Sequence, residues 1–596
     1  MSILFRNLHS RCLTSVLSKP KVYQQILKNY SQPIMRLNAN EAILLYEEGN
    51  ENFNMSFRYI NPILNIDRQF NFQRHVDETI NNFVQRICQN INSYITKRIC
   101  RKKKKDEDSL EDLKINVEND IKFMRDHSVL NGDLTCKSIL KDSPDIKLVI
   151  CDTEYILRQN VPFITKIELP SSILIDFPVY PSKFEGTNVD KLKSTFNWYR
   201  SEIQKPEWKH IGEGFLYVPS KSDLGCKLKV SCIPRNSEEC GPIIESISNG
   251  TVEIGPGICP FNARHAFTKN KLSDKSFRVT SYNILANIYS ETATSKETLY
   301  PYCPHYALSM DYRKLLILKE LIGYNSDIIC LQEVDASVYA NDLQLSLTTL
   351  NYGSIYNLKN DMREGLAIFY NQDRFDKLSC DYSVISQGTN LDEFNIVWSQ
   401  IQNDDVKRTF LNRNTIIQTI ILRSKENPEI LIVGNTHLYF RITADHIRLL
   451  QAYYGLSYLR TFAKKIKKEN PECNVSILYC GDFNSVPNNG VYKLMTEKYI
   501  PADHNDWKSD VKEQIQNVCI KHDTNLSSAC GTPEYTNYTG TFSGCLDYIF
   551  YQTDYLTVEQ VIPMPSKEEL GVYTGLPSVV SPSDHIALCV DLKWLK

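Results

Sequence analysis

From Phe277 onward the chain alternates two kinds of apolar pattern. Phe277-Arg278-Val279-Thr280-Ser281-Tyr282 reads as a strand, and Asp327-Ile328-Ile329-Cys330-Leu331 carries the unbroken apolar run of a strand buried on both faces. Glu429-Ile430-Leu431-Ile432-Val433 and Val475-Ser476-Ile477-Leu478-Tyr479-Cys480 repeat that signature. Between them, apolar residues fall at helical spacing. One set is Leu315, Leu316, Leu318 and Ile322, with Asp311 as cap. The other runs from about Ala444 through Leu449, Leu450, Tyr453, Leu456 and Leu459. Strands alternating with long helices, together with hairpin-like stretches, predict a layered α/β sandwich with mixed sheets over residues 277–596.

The first half reads differently. Lys147-Leu148-Val149-Ile150, Phe163 to Leu169, Phe196 to Arg200, Gly214 to Pro219 and Asp223 to Val230 are short strand-like runs separated by turns. They predict a mostly β, immunoglobulin-like sandwich around Trp198 and Gly225, within an N-terminal domain at 41–265, with a polar linker at 266–276. Residues 41–95 mix apolar and polar positions and predict no definite element. Lys97, Arg98, Arg101 and Lys102 to Lys105, followed by Asp106-Glu107-Asp108, read as a solvated loop, with an RNA-backbone contact as the functional alternative.

Composition narrows the class. A chain of 596 residues implies about three or four folding units. A net charge of −2 leaves no global basic field, so any nucleic acid must be held by a local patch. The 18 Cys show no CxxC spacing, which argues against zinc ribbons and thioredoxin-like chemistry. No run approaches the roughly 18 apolar residues of a membrane span, so no membrane partner is expected. Residues 1–40 contain Arg6, Arg11, Lys19, Lys21, Lys28 and Arg36 but no acid, with apolar residues at near-helical spacing. That is the composition of a mitochondrial transit peptide.

The chemistry is concentrated in short segments at or beside the later strands. They are Ser281 to Ala286, Leu331-Gln332-Glu333-Val334-Asp335, Asn435-Thr436-His437-Leu438, Gly481-Asp482-Phe483-Asn484-Ser485, Leu546 to Phe550 and Ser583-Asp584-His585. A carboxylate at a buried strand end costs several kcal/mol unless paired, which makes Glu333 the expected metal ligand. Asn283 is expected to offer a carboxamide oxygen to the same cation. Hard oxygen donors with few His favour Mg²⁺, two ions, with Mn²⁺ as an acceptable substitute. Asp482 is the expected general base or water orienter. Two positions on, Asn484 points to the same side of an extended chain and holds a phosphate oxygen or metal. His437 is expected on the phosphate, His585 on the transition-state charge, Asp584 on a metal or its water shell, and Asp547 as the carboxylate that holds a His. Tyr302, Tyr439 and Phe542 offer flat faces for purine stacking, and Asn287 or Asn537 a hydrogen-bonding edge for adenine.

Taken together and in this order, the segments resemble the endonuclease/exonuclease/phosphatase superfamily, which implies a DNase-I-like four-layer α/β sandwich. Tyr300-Pro301-Tyr302-Cys303, Asp311-Tyr312-Arg313, Tyr535 to Thr539 and Pro582 to Ile586 look like the CCR4-type deadenylases and nocturnin. Gly255-Pro256-Gly257-Ile258-Cys259, Leu576-Pro577-Ser578 and Leu592-Lys593-Trp594 are similar to the 2′,5′-phosphodiesterase 12 family. That resemblance implies a Mg²⁺-dependent exoribonuclease of the mitochondrial matrix. Its substrates would be 2′,5′-oligoadenylate and RNA with an adenylate 3′ end, and it would release AMP. The alternatives are a deadenylase or dinucleotide phosphatase outside mitochondria, other chemistry of the same metal core, and an RNA-binding scaffold with an inactive nuclease fold. Oligomeric state is left open.

Overall fold

The computed structural model describes residues 34–62, 66–103, 121–359 and 362–595. Most of the basic start at 1–40, and Lys104 and Lys105 of the basic run, lie outside the described residues. The chain divides into two compact units. One comprises Met1–Ile173, Tyr180–Tyr217 and Ser222–Val252, and the other Leu174–Val179, Val218–Lys221 and Glu253–Lys596.

The first unit is mostly β, as expected. A seven-stranded sheet has Ile66–His75 at one edge, then Asn52–Asn61, Glu41–Leu45, Thr153–Gln159, Ile146–Ile150, Ile121–Arg125 and Ser128–Val129. Against it packs a helix, Ile80–Lys103, through Phe83, Ile87, Ile91 and Ile95. This helix includes Lys97 to Lys103, where the charge run predicts a loop. Its apolar stripe recurs every fourth residue, and the charges simply extend the same helix. A five-stranded sheet of Ile34–Arg36, Ile243–Ile247, Lys227–Arg235, Asp190–Glu202 and Lys205–Glu213 occupies the later part. Trp198 is fully buried there and donates its indole N–H to Gly214 O at 2.9 Å.

The second unit is built on two six-stranded sheets. The first runs Tyr352–Leu358, Glu364–Asn371, Ile328–Asp335, Ser276–Asn283, Leu588–Trp594, Leu556–Val561. The second runs Phe375–Val384, Ile416–Ser424, Glu429–His437, Asn474–Asp482, Asp547–Gln552, Leu526–Ser528. Their facing side chains form one core, with Val279, Cys330, Ile368 and Val590 meeting Leu431, Val433, Leu478 and Ile549. Each sheet contains one parallel pair, Ser276–Asn283 with Ile328–Asp335 and Glu429–His437 with Asn474–Asp482. Parallel neighbours need a crossover. The helices Met310–Tyr324 and Asp445–Glu469 supply it, the latter packing Leu449, Leu456 and Leu459 near Ile432 and Ile477. Helix, sheet, sheet and helix make the expected four-layer sandwich.

Details differ from the sequence reading. Ser309 occupies the cap position of the first helix, and Asp311 lies in its first turn. The stretch at 266–276, expected as a linker, is tied into the second unit. Thr268 Oγ1 donates to Gly323 O at 2.7 Å, and Thr268 O accepts from the buried Arg278 guanidinium at 3.2 Å. Its polar composition concealed that its backbone serves as a hydrogen-bond partner.

Candidate active site

Strand register assembles the site at the ends of the parallel strands. Asn283 is the last residue of its strand and lies opposite Gln332. In the other sheet His437 lies opposite Asp482, and Asp482 lies opposite Asp547 on its other side. Glu333 is aimed by a β-bulge. The pairing with Glu364–Asn371 slips between Leu331 and Val334, and Glu333 adopts a left-handed φ of 56°. Bulges of this kind re-aim a side chain, and left-handed backbone in a non-glycine residue concentrates at functional sites. Gly481 shows the same demand on the opposite sheet. Its φ is 153°, and a Cβ there would lie 2.2 Å from Thr436 O.

The side chains form one continuous network. The Asn283 amide donates to Glu333 Oε1 at 2.9 Å and to Asp482 Oδ2 at 3.1 Å, bridging the two sheets. The other Glu333 oxygen accepts the backbone N–H of Ala286 at 2.9 Å. Asp482 Oδ2 lies 3.6 Å from Nε2 of both His437 and His585. His585 Nδ1 lies 2.8 Å from Asp547 Oδ2, which also accepts from Thr536 Oγ1 at 2.6 Å. His437 Nδ1 lies 2.9 Å from the Lys359 ammonium, which also donates to the buried Glu364 at 2.8 Å. An ammonium only donates, so Nδ1 of His437 accepts and its proton sits on Nε2.

Electrostatics separates two roles. Burial pushes Glu333 up to about 7, with the Glu364 and Asp584 carboxylates adding to the effect. Burial, then Asp547, pushes Asp482 up to about 6, partly offset by His585 and Asn283. For His585, burial opposes the charge, but Asp547, Asp482 and Asp584 outweigh it and raise the imidazole well above its ordinary value. His437 is held well below its ordinary value by burial, then by Lys359 and His585. The site therefore pairs a charged His585 with a neutral His437.

A divalent cation fits the Glu333 side. Asp482, Asp547 and His585 bring potential ligand atoms within 4.8 Å of one another. A protonated imidazole is no ligand, however, and it already compensates those two acids. Around Glu333 the acids outnumber the cations: Asp584 and Glu364 are nearby, Lys359 pairs with Glu364 Oε1, and Glu364 Oε2 is buried without a hydrogen-bond partner among the described residues. Oxygen donors with surplus negative charge suit Mg²⁺ or Mn²⁺.

Several expected residues are placed differently. The Asn283 carboxamide oxygen accepts the Leu285 N–H at 3.0 Å, which uses one of its two lone pairs, while its amide group spaces the two acids. Asn484 is not extended. Its φ is 49°, its N–H donates to Asp482 Oδ1 at 2.9 Å, and its amide donates to Leu438 O at 3.0 Å. The strand ends at Asp482 and an Asx-type turn follows. Asp584 accepts from Tyr300 O–H at 2.9 Å and from the Asn537 amide at 3.2 Å, so Asn537 is engaged within the protein. Asn287 is engaged too, its carboxamide oxygen accepting Met310 N–H at 3.2 Å and its amide donating to Glu291 at 3.3 Å. Tyr302 is half-buried beside Gly540, and Tyr439 is half-buried with Arg413 over its ring at 4.6 Å. Phe542 is 44% exposed and is the freest flat face of the set.

Sequence reasoning missed Lys359 and Glu364, and singled out Arg313 only within the segment Asp311-Tyr312-Arg313, without a role. Lys359 to Glu364 reads as an ordinary charged turn, and nothing in it points at a histidine. Arg313 is fully buried and donates to the carbonyls of Ile284, Leu285 and Pro582, at 3.0, 2.8 and 3.0 Å. It thereby ties the loop after Asn283 to the segment that carries Asp584 and His585. Its signal was the resemblance carried by that segment; its place in the helix gave no role, since Lys314 and Glu320 are buried there too.

Residues 280–585 match the Endonuclease/Exonuclease/phosphatase family, and residues 161–253 match the 2′,5′-phosphodiesterase 12-like N-terminal domain. The chain is similar to 2′,5′-phosphodiesterase 12 of Bos taurus, 39% identical over 469 residues that cover 75% of this chain and 76% of that protein. It is equally similar to 2′,5′-phosphodiesterase 12 of Homo sapiens, again 39% identical over 469 residues, 75% of this chain and 76% of the relative. It is also similar to the CCR4-Not complex 3′-5′-exoribonuclease subunit Ccr4 of Schizosaccharomyces pombe, 32% identical over 355 residues, 53% of this chain and 49% of the relative.

Proposed function

This chain belongs to the endonuclease/exonuclease/phosphatase family and, within it, to the 2′,5′-phosphodiesterase 12 group; from that premise we propose that it is a Mg²⁺-dependent phosphodiesterase that removes adenylates one at a time from 2′,5′-oligoadenylate and from 3′,5′ poly(A) ends, releasing AMP. The observation that carries this reading is the shared position of Asp482, whose Oδ2 faces two imidazoles at 3.6 Å, one raised and one lowered in basicity, while Asn283 links it to Glu333.

Each residue has a task in that reaction. His585, charged and held by Asp547, offers an N–H to phosphate oxygens as negative charge builds. His437 offers a second N–H from a neutral ring, with Lys359 fixing which nitrogen bears the proton. Asp482, raised toward neutrality, accepts the proton of the attacking water. Glu333, with Asp584 nearby, would hold the cation, which when bound offsets phosphate charge and stabilises the leaving oxygen. Phe542 and Tyr302 supply stacking surface at the loop that follows Asn537, a source of adenylate preference outside the metal core.

We assign the protein to the mitochondrial matrix on the acid-free, basic composition of residues 1–40. Among the described residues no helix is long and apolar enough to cross a membrane. The test is to digest A-, U- and C-homopolymers of equal length and follow the products in time. AMP appearing first, fastest from the A-homopolymer, is expected. Equal rates on all three, or internal cuts before AMP appears, would overturn the adenylate-exonuclease reading.

A further inference from the structure

The basic helix of the first unit carries a feature that the catalytic reading does not use. Ile80–Lys103 contains no acid, while Arg86, Lys97, Arg98, Arg101, Lys102 and Lys103 lie along it. Its buried stripe is Phe83, Ile87, Ile91 and Ile95. A second stripe, Asn90, Ser93, Tyr94 and Lys97, falls at i, i+3, i+4 and i+7 and therefore shares one face. That face borders the edge strand Ile66–His75, the outermost strand of the seven-stranded sheet. Between helix and strand lies a cleft of about 290 Å³, near the lower end of ligand-pocket size, about 300 Å³.

The centre of the cleft is a flat cationic platform. The Arg68 guanidinium lies 4.1 Å from the Tyr94 ring centroid and 5.3 Å from that of Phe70, and those two rings meet edge-on at 6.3 Å. Among the described residues neither Arg68 nor Lys97 has a carboxylate within ion-pair distance. By contrast Arg58 and Arg74 nearby are both paired, with Asp67 and Glu78. Exposed Asn71, Asn90 and Ser93 ring the platform with hydrogen-bonding groups. A stacked arginine–aromatic pair, uncompensated cations and small polar side chains suit a base on the platform and phosphates along the helix.

We infer that this cleft is a second nucleic-acid site, which binds single-stranded RNA through stacking on Arg68–Tyr94 and phosphate contacts along the basic helix. Charge complementarity favours this occupant, since an acid-free helix attracts a polyphosphate, and aromatic stacking favours unpaired bases over a duplex or an acidic protein segment. The site stands apart from the proposed reaction and does not depend on it.

The experiment uses the full chain carrying Glu333→Ala, which prevents turnover, and a fluorescent 30-nucleotide A-homopolymer. Arg68→Glu and Tyr94→Ala should each weaken binding about tenfold, within the range for loss of one stacked base. Lys97→Glu, a change at an exposed position outside the buried stripe, should weaken it several-fold and reduce the slope of log Kd on log salt. In the catalytically intact chain the same three changes should leave AMP release from a 2′,5′-linked trimer unchanged. Parental affinity and salt slope in Tyr94→Ala and Lys97→Glu would overturn the inference. Displacement of the RNA by polyglutamate as readily as by unlabelled RNA would also overturn it, since bare charge would then explain binding. Intact RNA binding together with no adenylate hydrolysis by the parental chain, Glu333 in place, would instead reject the catalytic reading alone.

Discussion

The ammonium of Lys359 lies 2.9 Å from Nδ1 of His437, so a buried cation accounts for the proton on the far nitrogen of that ring. The pair has an unusual consequence for an imidazole proposed to contact phosphate. It is kept neutral, by burial first and by Lys359 next, and contributes a hydrogen bond instead of a full charge.

Lys359→Gln should therefore lower kcat by about 10–100-fold with little change in KM, the size seen when a residue that orients a site ligand is lost. The ring should also change tautomer, which ¹⁵N chemical shifts of His437 report directly. An unchanged tautomer together with a parental kcat would show that Lys359 serves only to neutralise Glu364.

Asp547 and His585 should behave as one unit. The 2.8 Å contact fixes the imidazole and sustains its charge. Asp547→Asn keeps shape and removes charge, and should lower kcat by about 10²-fold. Added to His585→Ala it should lower kcat little further, because members of a unit are not additive. Fully additive losses in the double variant would separate the two residues.

The acid cluster sets a pH dependence of stability. In the protein without divalent cation, Glu333 is raised from 4.5 to about 7 and Asp482 from 3.8 to about 6. At these two groups the folded state then holds more protons than the unfolded chain across roughly pH 4–7, so their contribution to stability falls as pH rises through that window, while the lowered His437, His265, His446 and His522 contribute the opposite slope. His585 acts in the same direction as the two acids at higher pH, since its raised value gives stability that is lost as it deprotonates. Added Mg²⁺ binds the ionised carboxylates, and its stabilising increment should grow with pH. Melting temperatures at pH 5, 6, 7 and 8, with EDTA or Mg²⁺, check this. Relative to Glu333→Gln, the parent should lose cation-free stability as pH rises from 5 to 7. The same pH dependence in both proteins would contradict the assigned shift.

Much of this arrangement can be read from the chain because its chemistry sits on strands with strong apolar signatures. Ile328 to Leu331 and Val475 to Cys480 fix where Glu333 and Asp482 emerge, and two parallel registers bring them together. What stayed hidden depends on backbone conformation and distant packing. The bulge that turns Glu333 inward and the left-handed turn at Asn484 leave no mark in an apolar pattern, because single non-glycine residues adopt them only under tertiary constraint. The carboxamide of Asn283 could face either way until its strand neighbours were placed. The helix Ile80–Lys103 was illegible for another reason. Its core residues stand one per turn among Asn, Gln and Arg, so its stripe is too narrow to stand out from a polar segment.

The most direct test of the central claim is AMP release by the purified chain and by Glu333→Ala, on matched 2′,5′- and 3′,5′-linked adenylate oligomers, with Mg²⁺ or with EDTA. The carboxylate aimed by the bulge is the expected cation anchor, so the parent should release AMP only with the cation. Folded Glu333→Ala should lose at least about 10³-fold in rate on both linkages, in keeping with loss of the stabilisation a bound cation gives. Parental turnover by a folded Glu333→Ala protein, or equal turnover in EDTA, would contradict the account.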